Sequence, residues 1–176
     1  MNILLLPDSF KGTLSSIEVC QIEKEEIQKI NPTFSVSAFP FSDGGEDCLT
    51  CFRYGLQKYK EIKVNVTSSH LQEKTDASYL IYQNTAIIES ASAMGLYKTD
   101  RKNPLVTTTY GVGELISNAY EKGIRNFIIT LGGSSTNDGG AGMLSALGCS
   151  FLKKDGVSFI PTGGNLIEID KIEKKD

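Results

Sequence analysis

The sequence predicts an α/β fold, with helices packed on a parallel sheet in a three-layer sandwich. Strand and helix patterns alternate from the first residue, which is the order expected of this class. Residues 2–6 form a short apolar run that Pro7 ends, as in a buried parallel strand. A helical pattern, an alternating segment at residues 34–39 and a second helical pattern follow.

The first helix is predicted from the pair Ser15 and Glu18, which have the spacing of a capping box. Its apolar side chains recur at helical intervals until Asn31-Pro32 ends it. The second helix is expected after Asp43-Gly44-Gly45 and contains a C-x-x-C pair, Cys48 and Cys51. A zinc site needs a second such pair or two histidines, so reduced cysteines are favoured over a metal or redox site.

The middle of the chain predicts a β-rich insert. Residues 61–66 alternate polar and apolar, and residues 77–82 and 85–89 are two strands joined by a tight turn at Gln83-Asn84. Helical periodicity returns at residues 109–122, and Gly123 ends that helix. An apolar strand at 126–131, a glycine-rich loop, a helix at 141–147 and a hairpin at 149–160 complete the pattern.

Composition excludes several classes of protein. The 176 residues carry a net charge of −3 and are 40% hydrophobic, which is ordinary for a globular chain and unlike disordered or disulfide-scaffold sequences. Basic residues are dispersed, so neither nucleic acid nor a membrane is an expected partner. Because the first apolar run is too short for a signal peptide or a membrane span, the cytoplasm is the expected location.

The strongest candidate for chemistry is the glycine-rich loop at residues 132–142. Glycines let the backbone approach a ligand closely, and consecutive N–H groups before a helix can bind phosphate. A flexible strand-to-helix connection is the alternative, although such connections are usually shorter. The candidate phosphate-binding residues of this loop are Gly132, Gly133, Ser134, Asn137, Gly139 and Gly140, with Asp138 as a candidate catalytic group.

Three further clusters follow predicted strands or precede a helix, where ligands bind in open α/β sheets. The first contains Asp8, Ser9 and Lys11, and its alternative is a solvated turn leading to Ser15. The second is Ser42 to Glu46, in which Asp43 and Glu46 could simply cap a helix around Gly44 and Gly45. The third contains Asn103 and Thr108, and its alternative is a threonine N-cap. With His70 the sole histidine, these clusters favour phosphoryl transfer over a hydrolytic triad.

At these residues the sequence resembles the type-1 glycerate kinase family. The resemblance rests on four motifs in family order, and the match runs the length of the chain. They are Pro7-Asp8-Ser9-Phe10-Lys11-Gly12-Thr13-Leu14-Ser15, Asp43-Gly44-Gly45-Glu46, Asn103-Pro104-Leu105 with residues 107–111, and Gly132-Gly133-Ser134 through Asn137-Asp138-Gly139-Gly140-Ala141-Gly142-Met143.

The resemblance implies a kinase that uses ATP and Mg²⁺ to phosphorylate D-glycerate, giving 2-phosphoglycerate. Positioning and charge stabilisation would supply most of that catalysis. The glycine-rich loop would cradle phosphate, Asp8 or Asp43 would position Mg²⁺ or the glycerate hydroxyl, and Lys11 would offset anionic charge. Asp138 would be the base or a second metal contact. Residues 44–46, Ser9, Asn103 and Thr108 would complete the substrate and phosphate contacts.

The resemblance also implies a Rossmann-like α/β domain and a second, β-rich domain, with the cleft between them. The predicted segments are 1–60 (Rossmann-like), 61–104 (β-rich), 105–148 (strand, loop and helix) and 149–176 (hairpin and truncated end). Two departures are Asp47-Cys48, where the family has Gly-Thr, and Ser68-Ser69-His70, where it has a Thr-Gly-Pro turn. Family members are about twice as long, so the fold is expected to be incomplete at the C-terminus. The alternative function is therefore an inactive or partner-dependent fragment that binds nucleotide or phosphate only, and homo-oligomers are a further possibility.

Overall fold

The computed structural model describes residues 1–174, which form a mixed α/β fold with parallel and antiparallel sheets. The helices are α1 (Ser16–Ile30), α2 (Cys48–Gly55), α3 (Ala91–Met94), α4 (Tyr110–Glu121) and α5 (Ala141–Ala146). The strands are β1 (Asn2–Leu5), β2 (Ser35–Ala38), β3 (Lys60–Thr67), β4 (Lys74–Tyr82), β5 (Thr85–Glu89), β6 (Asn126–Thr130), β7 (Cys149–Leu152), β8 (Ser158–Phe159) and β9 (Lys171–Lys174).

The first unit is a parallel pair of strands, β1 and β2, joined through α1. The predicted capping box is confirmed: Ser15 Oγ accepts a hydrogen bond from the Glu18 N–H at 3.3 Å, and Glu18 Oε2 accepts one from the Ser15 N–H at 2.7 Å. Helix α1 ends at Ile30, as predicted, and buries Val19 and Cys20. This unit fixes the loop that follows β1.

Helix α2 begins later than a cap at Asp43 would require, so that alternative is wrong. The N-cap is Asp47, whose backbone is left-handed with φ of 67° and whose side chain makes no cap hydrogen bond. Asp43 Oδ1 instead accepts a hydrogen bond from the Gly45 N–H at 2.9 Å, which closes a local turn. Cys48 and Cys51 lie in α2 and are free thiols, as predicted.

The central sheet has the strand order β3-β4-β5-β6, with only the β5–β6 pair parallel. The predicted tight turn is confirmed, and Gln83 adopts φ of 54° there. One face packs on α4 around Tyr79, Ile88 and Leu115, while Leu80 and Ile87 on the other face pack against α2. Within residues 1–174, parallel pairing is confined to β1–β2 and β5–β6, and the strands of the predicted β-rich insert pair antiparallel.

The last sheet has the order β8-β7-β9, and both of its pairs are antiparallel. The β7–β8 hairpin agrees with the prediction, whereas β9 was not expected. Residues 175 and 176 of the predicted C-terminal segment lie outside the described residues. Within residues 1–174, no helix has the length and apolar character that crossing a membrane requires.

Candidate active site

A cleft of about 880 Å³ lies between the first unit and the central sheet. One side consists of the loop after β1, from Ser9 to Ser15, and the start of α2. The other consists of β3, β4 and the segment after α3. The loops that follow β1 and β2 meet here, as the strand-end argument predicts, and the end of β5 joins them.

Two glycine loops pack backbone against backbone beside the cleft. The Gly132 N–H donates to the Gly44 carbonyl at 3.0 Å. A Cβ on Gly132 would lie 2.7 Å from Gly45 Cα and 2.8 Å from the Gly44 carbonyl carbon, so only glycine allows this approach. The structure thus brings together two motifs that are almost ninety residues apart in sequence, residues 43–46 and residues 132–134.

The loop after β1 joins the same cluster through an ion pair. Lys11 Nζ lies 3.3 Å from Asp43 Oδ2. The Gly45 N–H and Lys11 hold the pKa of Asp43 below its ordinary value. Asp8 Oδ1 accepts a hydrogen bond from the Ser9 N–H at 2.7 Å, and the buried Ser9 Oγ has no partner within the described residues. Of this predicted set, Ser9 and Glu46 line the cleft, and Asp8, Lys11 and Asp43 lie beside it through the contacts just described.

The remaining predicted residues form a second cluster around Asp138, and none of them lines the cleft. Asp138 is 1% exposed and joins the starts of α4 and α5. Its Oδ2 accepts hydrogen bonds from the Thr109 N–H at 2.8 Å, Thr109 Oγ1 at 2.9 Å, the Gly142 N–H at 3.1 Å and Thr108 Oγ1 at 3.2 Å. Its Oδ1 accepts one from the Gly140 N–H at 3.2 Å. Both oxygens of Asp138 are therefore occupied by donors from the protein.

The other members of that cluster also make internal contacts. The exposed Asn103 accepts a hydrogen bond from the Leu105 N–H at 3.1 Å. Asn137 Oδ1 lies against Gly163 Cα, so tightly that a Cβ on Gly163 would overlap it. Gly139 and Gly140 have φ of 61° and 82°, which lets the chain turn into α5. This cluster shapes the glycine-rich loop from behind.

Internal hydrogen bonds also limit how much of that loop can cradle phosphate. The Ser135 N–H donates to the Met94 carbonyl at 3.1 Å, and the Thr136 N–H donates to Ser134 Oγ at 3.1 Å. The N–H groups of Gly133 and Ser134 have no protein partner among residues 1–174. The end of the loop near Gly133 is therefore the part free to bind an anion.

The sequence patterns missed most of the cleft lining, including Glu89, Tyr97 and Lys98. Glu89 ends β5 and is 4% exposed, and its Oε2 accepts a hydrogen bond from the Leu49 N–H at 2.9 Å. Burial raises the pKa of Glu89. Burial, followed by the charge of Glu89, raises the pKa of Tyr97, and burial lowers the pKa of Lys98. The strand-end argument could have found Glu89, because β5 ends beside β6 and the glycine-rich loop.

Oxygen donors near the cleft suit a hard cation only in part. Asp8 and Asp43 are carboxylates of the kind Mg²⁺ takes, usually one or two with substrate phosphates. Asp43 is already paired with Lys11. Among residues 1–174, no three His, Cys, Asp or Glu side chains are grouped so as to hold a metal ion. The donors thus fit an ion that phosphate oxygens would complete.

Fold and site together define a mixed α/β protein with a strand-end cleft beside two closely packed glycine loops. The sequence pattern of the glycerate kinase family matches residues 3–176. The chain belongs to the glycerate kinase family.

Similar proteins agree with this assignment. The chain is 41% identical over 177 residues to a glycerate kinase of Bacillus cereus and 38% identical over 180 residues to the glycerate 2-kinase of Escherichia coli. Each alignment covers 98% of this chain and 46% of the relative. A crystal structure from Salmonella typhimurium LT2, provisionally described as glycerate kinase 2, superposes with a TM-score of 0.77 at 34% identity over 98% of this chain and 47% of that one. The chain thus spans about half the length of these relatives.

Proposed function

We propose that this chain phosphorylates D-glycerate with ATP, giving 2-phosphoglycerate. The observation that carries the proposal is the contact between the family's Asp8–Lys11, Asp43–Glu46 and Gly132–Ser134 motifs, of which Ser9 and Glu46 line the cleft. Phosphoryl transfer requires mainly positioning and charge stabilisation, which glycine N–H groups and a lysine can supply. Family membership supports this type of reaction, and the cleft supports the proposed location of the active site.

The residues around the cleft divide these tasks between them. Gly133 and Ser134 donate N–H groups to phosphate, with Gly44, Gly45 and Gly132 holding the two loops close enough for it. Lys11 can leave Asp43 for a phosphate oxygen, because its ion pair is exposed and weak. Asp8 and Asp43 would hold Mg²⁺, which when bound would neutralise phosphate charge.

The second cluster supports the loop in this proposal. Asn103, Thr108, Asn137, Gly139 and Gly140 fix its far end, and Asp138 holds α4 against α5 rather than taking the substrate proton. This assignment follows from the occupied oxygens of Asp138.

The Rossmann-like arrangement of segment 1–60 is also part of the proposal. The strands β1 and β2 have α1 on one side, while apolar side chains beside them stay exposed. These are Leu4 at 61%, Leu6 at 54%, Phe39 at 51%, Phe41 at 55% and Leu131 at 75%. Large apolar side chains exposed on neighbouring strands and the loops beside them favour contact with another protein surface. Further chain that completes the layers of this domain would cover these apolar side chains. The rest of the proposed organisation is a β-rich segment 61–104, a unit 105–148 and a segment from 149 onwards. Cytoplasmic location belongs to the same proposal.

That exposed apolar surface favours a second candidate function, a fragment that binds nucleotide or phosphate and turns over only with a partner. The partner would be the C-terminal half of a family member or a second copy of this chain. This second function is tested by measuring kinase activity after mixing the chain with the C-terminal half of the Bacillus cereus relative. Activity only in the mixture supports the fragment, and equal activity with and without the added half contradicts it.

The experiment that tests the main proposal is a coupled assay of ADP release with ATP, Mg²⁺ and D-glycerate. Lys11→Met should lower kcat/KM about 10- to 100-fold, the value of a hydrogen bond to a charged group. Lys122→Met is the matched control, an exposed lysine at the end of α4 that should keep full activity. ADP release that does not depend on D-glycerate would count against the proposal.

A further inference from the structure

Glu89 places a buried carboxyl group at the edge of the cleft. The residue is 4% exposed, and Oε2 is used by the Leu49 N–H of α2 at 2.9 Å. The other oxygen, Oε1, has no hydrogen-bond partner within residues 1–174. A carboxyl oxygen that borders a cleft in this way can accept a hydrogen bond from a ligand hydroxyl.

Lys98 places an oriented cation in the same cleft. Its Nζ donates to the Asp76 carbonyl at 2.7 Å and to Thr75 Oγ1 at 3.2 Å, and both of these acceptors are neutral. No carboxylate forms an ion pair with Lys98 among the described residues. Its charge is therefore available to an anion.

The two other cations of the cleft are less suited to that task. Arg53 is paired with Glu61, at 2.6 Å between Nη2 and Oε1. Lys63 is exposed, and no hydrogen bond to the described residues holds its side chain in one place. Lys98 alone combines a fixed position with an unpaired charge among the cations that line this part of the structure.

We propose that Glu89 and Lys98 form the subsite for a small 2-hydroxy acid. Lys98 Nζ binds the carboxylate of the acid, and Glu89 Oε1 accepts the hydrogen bond of its hydroxyl group. A phosphate group fits this pair poorly, because its negative charge would be repelled by Glu89. A hydroxy acid fits better, because its hydroxyl group can donate to Glu89 while its carboxylate binds Lys98. The inference rests on the proposed function, for which it names the residues that hold the acceptor.

Tyr97 supports this choice of ligand. Its phenol lies in the cleft, and burial together with the charges of Glu89, Glu46 and Asp47 raises the pKa of Tyr97. The phenol therefore stays a neutral hydrogen-bond donor at physiological pH, which a second oxygen of the ligand carboxylate can accept. Ser9 and Glu46 lie with the glycine loops on the other side of the cleft, next to the proposed phosphate site.

Calorimetric titration of D-glycerate into the chain, without nucleotide, tests the subsite directly. Lys98→Met should weaken binding about 10- to 100-fold, and Glu89→Gln about 10-fold, since each removes one charge-assisted hydrogen bond. Gln keeps an oxygen for the Leu49 N–H, so the variant should fold. Lys122→Met, at an exposed lysine outside the cleft lining, is the matched control and should change the affinity less than twofold. Thermal unfolding of each variant confirms that the fold is kept.

The outcomes separate this inference from the proposed function. Wild-type binding of D-glycerate with a selective loss in Lys98→Met and Glu89→Gln supports the subsite. Unchanged affinity in both variants overturns it, even if the wild type is an active kinase. No binding to the wild type overturns it as well. Selective binding without any ADP release leaves the subsite standing and contradicts the proposed phosphoryl transfer.

Discussion

Asp138→Asn should destabilise the fold rather than remove a catalytic base. Asp138 Oδ2 accepts hydrogen bonds from Thr108, Thr109 and Gly142, and Oδ1 accepts one from the Gly140 N–H. Asparagine keeps one of these oxygens and replaces the other with an NH₂ group. If the amide oxygen takes the place of Oδ2, the NH₂ faces the Gly140 N–H, and two donors then meet in a buried site.

The magnitude follows from those contacts. An unsatisfied buried N–H costs about 1–3 kcal/mol, and the other hydrogen bonds lose the strength that a charged acceptor gives them. We expect a total loss of about 2–4 kcal/mol in the free energy of unfolding. For a chain of this length, the melting temperature should fall by roughly 4–16 °C.

Urea unfolding followed by circular dichroism measures this loss. Asp155→Asn is the control, because Asp155 is exposed and accepts a single hydrogen bond, from the Val157 N–H at 3.1 Å. The free energy of unfolding of Asp155→Asn should lie within about 0.5 kcal/mol of the wild-type value. A stable Asp138→Asn variant with lost turnover would refute this reasoning and restore Asp138 as the base.

Three further predictions concern other parts of the chain. Gly132→Ala should lower the free energy of unfolding in urea by about 1–3 kcal/mol, because the new Cβ meets the backbone of the facing glycine loop. Gly55→Ala, with open space around it, is the control and should lower it far less. Equal losses in the two variants would contradict the close packing. Ser15→Ala should cost about 1 kcal/mol through loss of the capping box. The pKa of Glu18 is lowered first by the hydrogen bond from the Ser15 N–H and then by the one from Ser15 Oγ, so the ionised Glu18 stabilises the fold above its unfolded pKa. Ser15→Ala removes only the Oγ contact, so the difference between wild type and Ser15→Ala should shrink in part as the pH falls through the folded pKa of Glu18. A stability difference between wild type and Ser15→Ala that stays constant from pH 7 down to pH 3 would argue against this role of Glu18. Burial raises the pKa of Glu89, so the stability of the wild type falls as the pH rises through that folded pKa, and Glu89→Gln should gain melting temperature relative to the wild type over the same rise in pH. Parallel pH profiles of the two proteins would contradict this role of the buried carboxyl group.

Local chemistry made much of the fold predictable. The capping box at Ser15 and Glu18 marks the start of α1, and the Gln83-Asn84 turn marks the β4–β5 hairpin. These features depend on neighbouring residues, which a single sequence displays. Strand ends also predicted that the loops near Asp8 and Asp43 share a site.

Long-range contacts account for what could not be predicted. Strand β9 is rich in charge and is a strand only because β7, about twenty residues earlier, pairs with it. The start of α2 at Cys48 depends on the close approach of the glycine loops, which holds residues 44 and 45 out of the helix. Lys98 enters the site through hydrogen bonds to β4, and no local pattern around it indicates this.

The central claim is that the cleft of this chain supports phosphoryl transfer to D-glycerate. Phosphorus NMR of the purified chain with ATP, Mg²⁺ and D-glycerate tests it most directly, because substrate and product are seen together. The account predicts that the γ-phosphate signal of ATP falls while the signals of ADP and of 2-phosphoglycerate rise in equal amounts. ATP that stays intact, both with the chain alone and with the C-terminal half of a relative added, would contradict the claim.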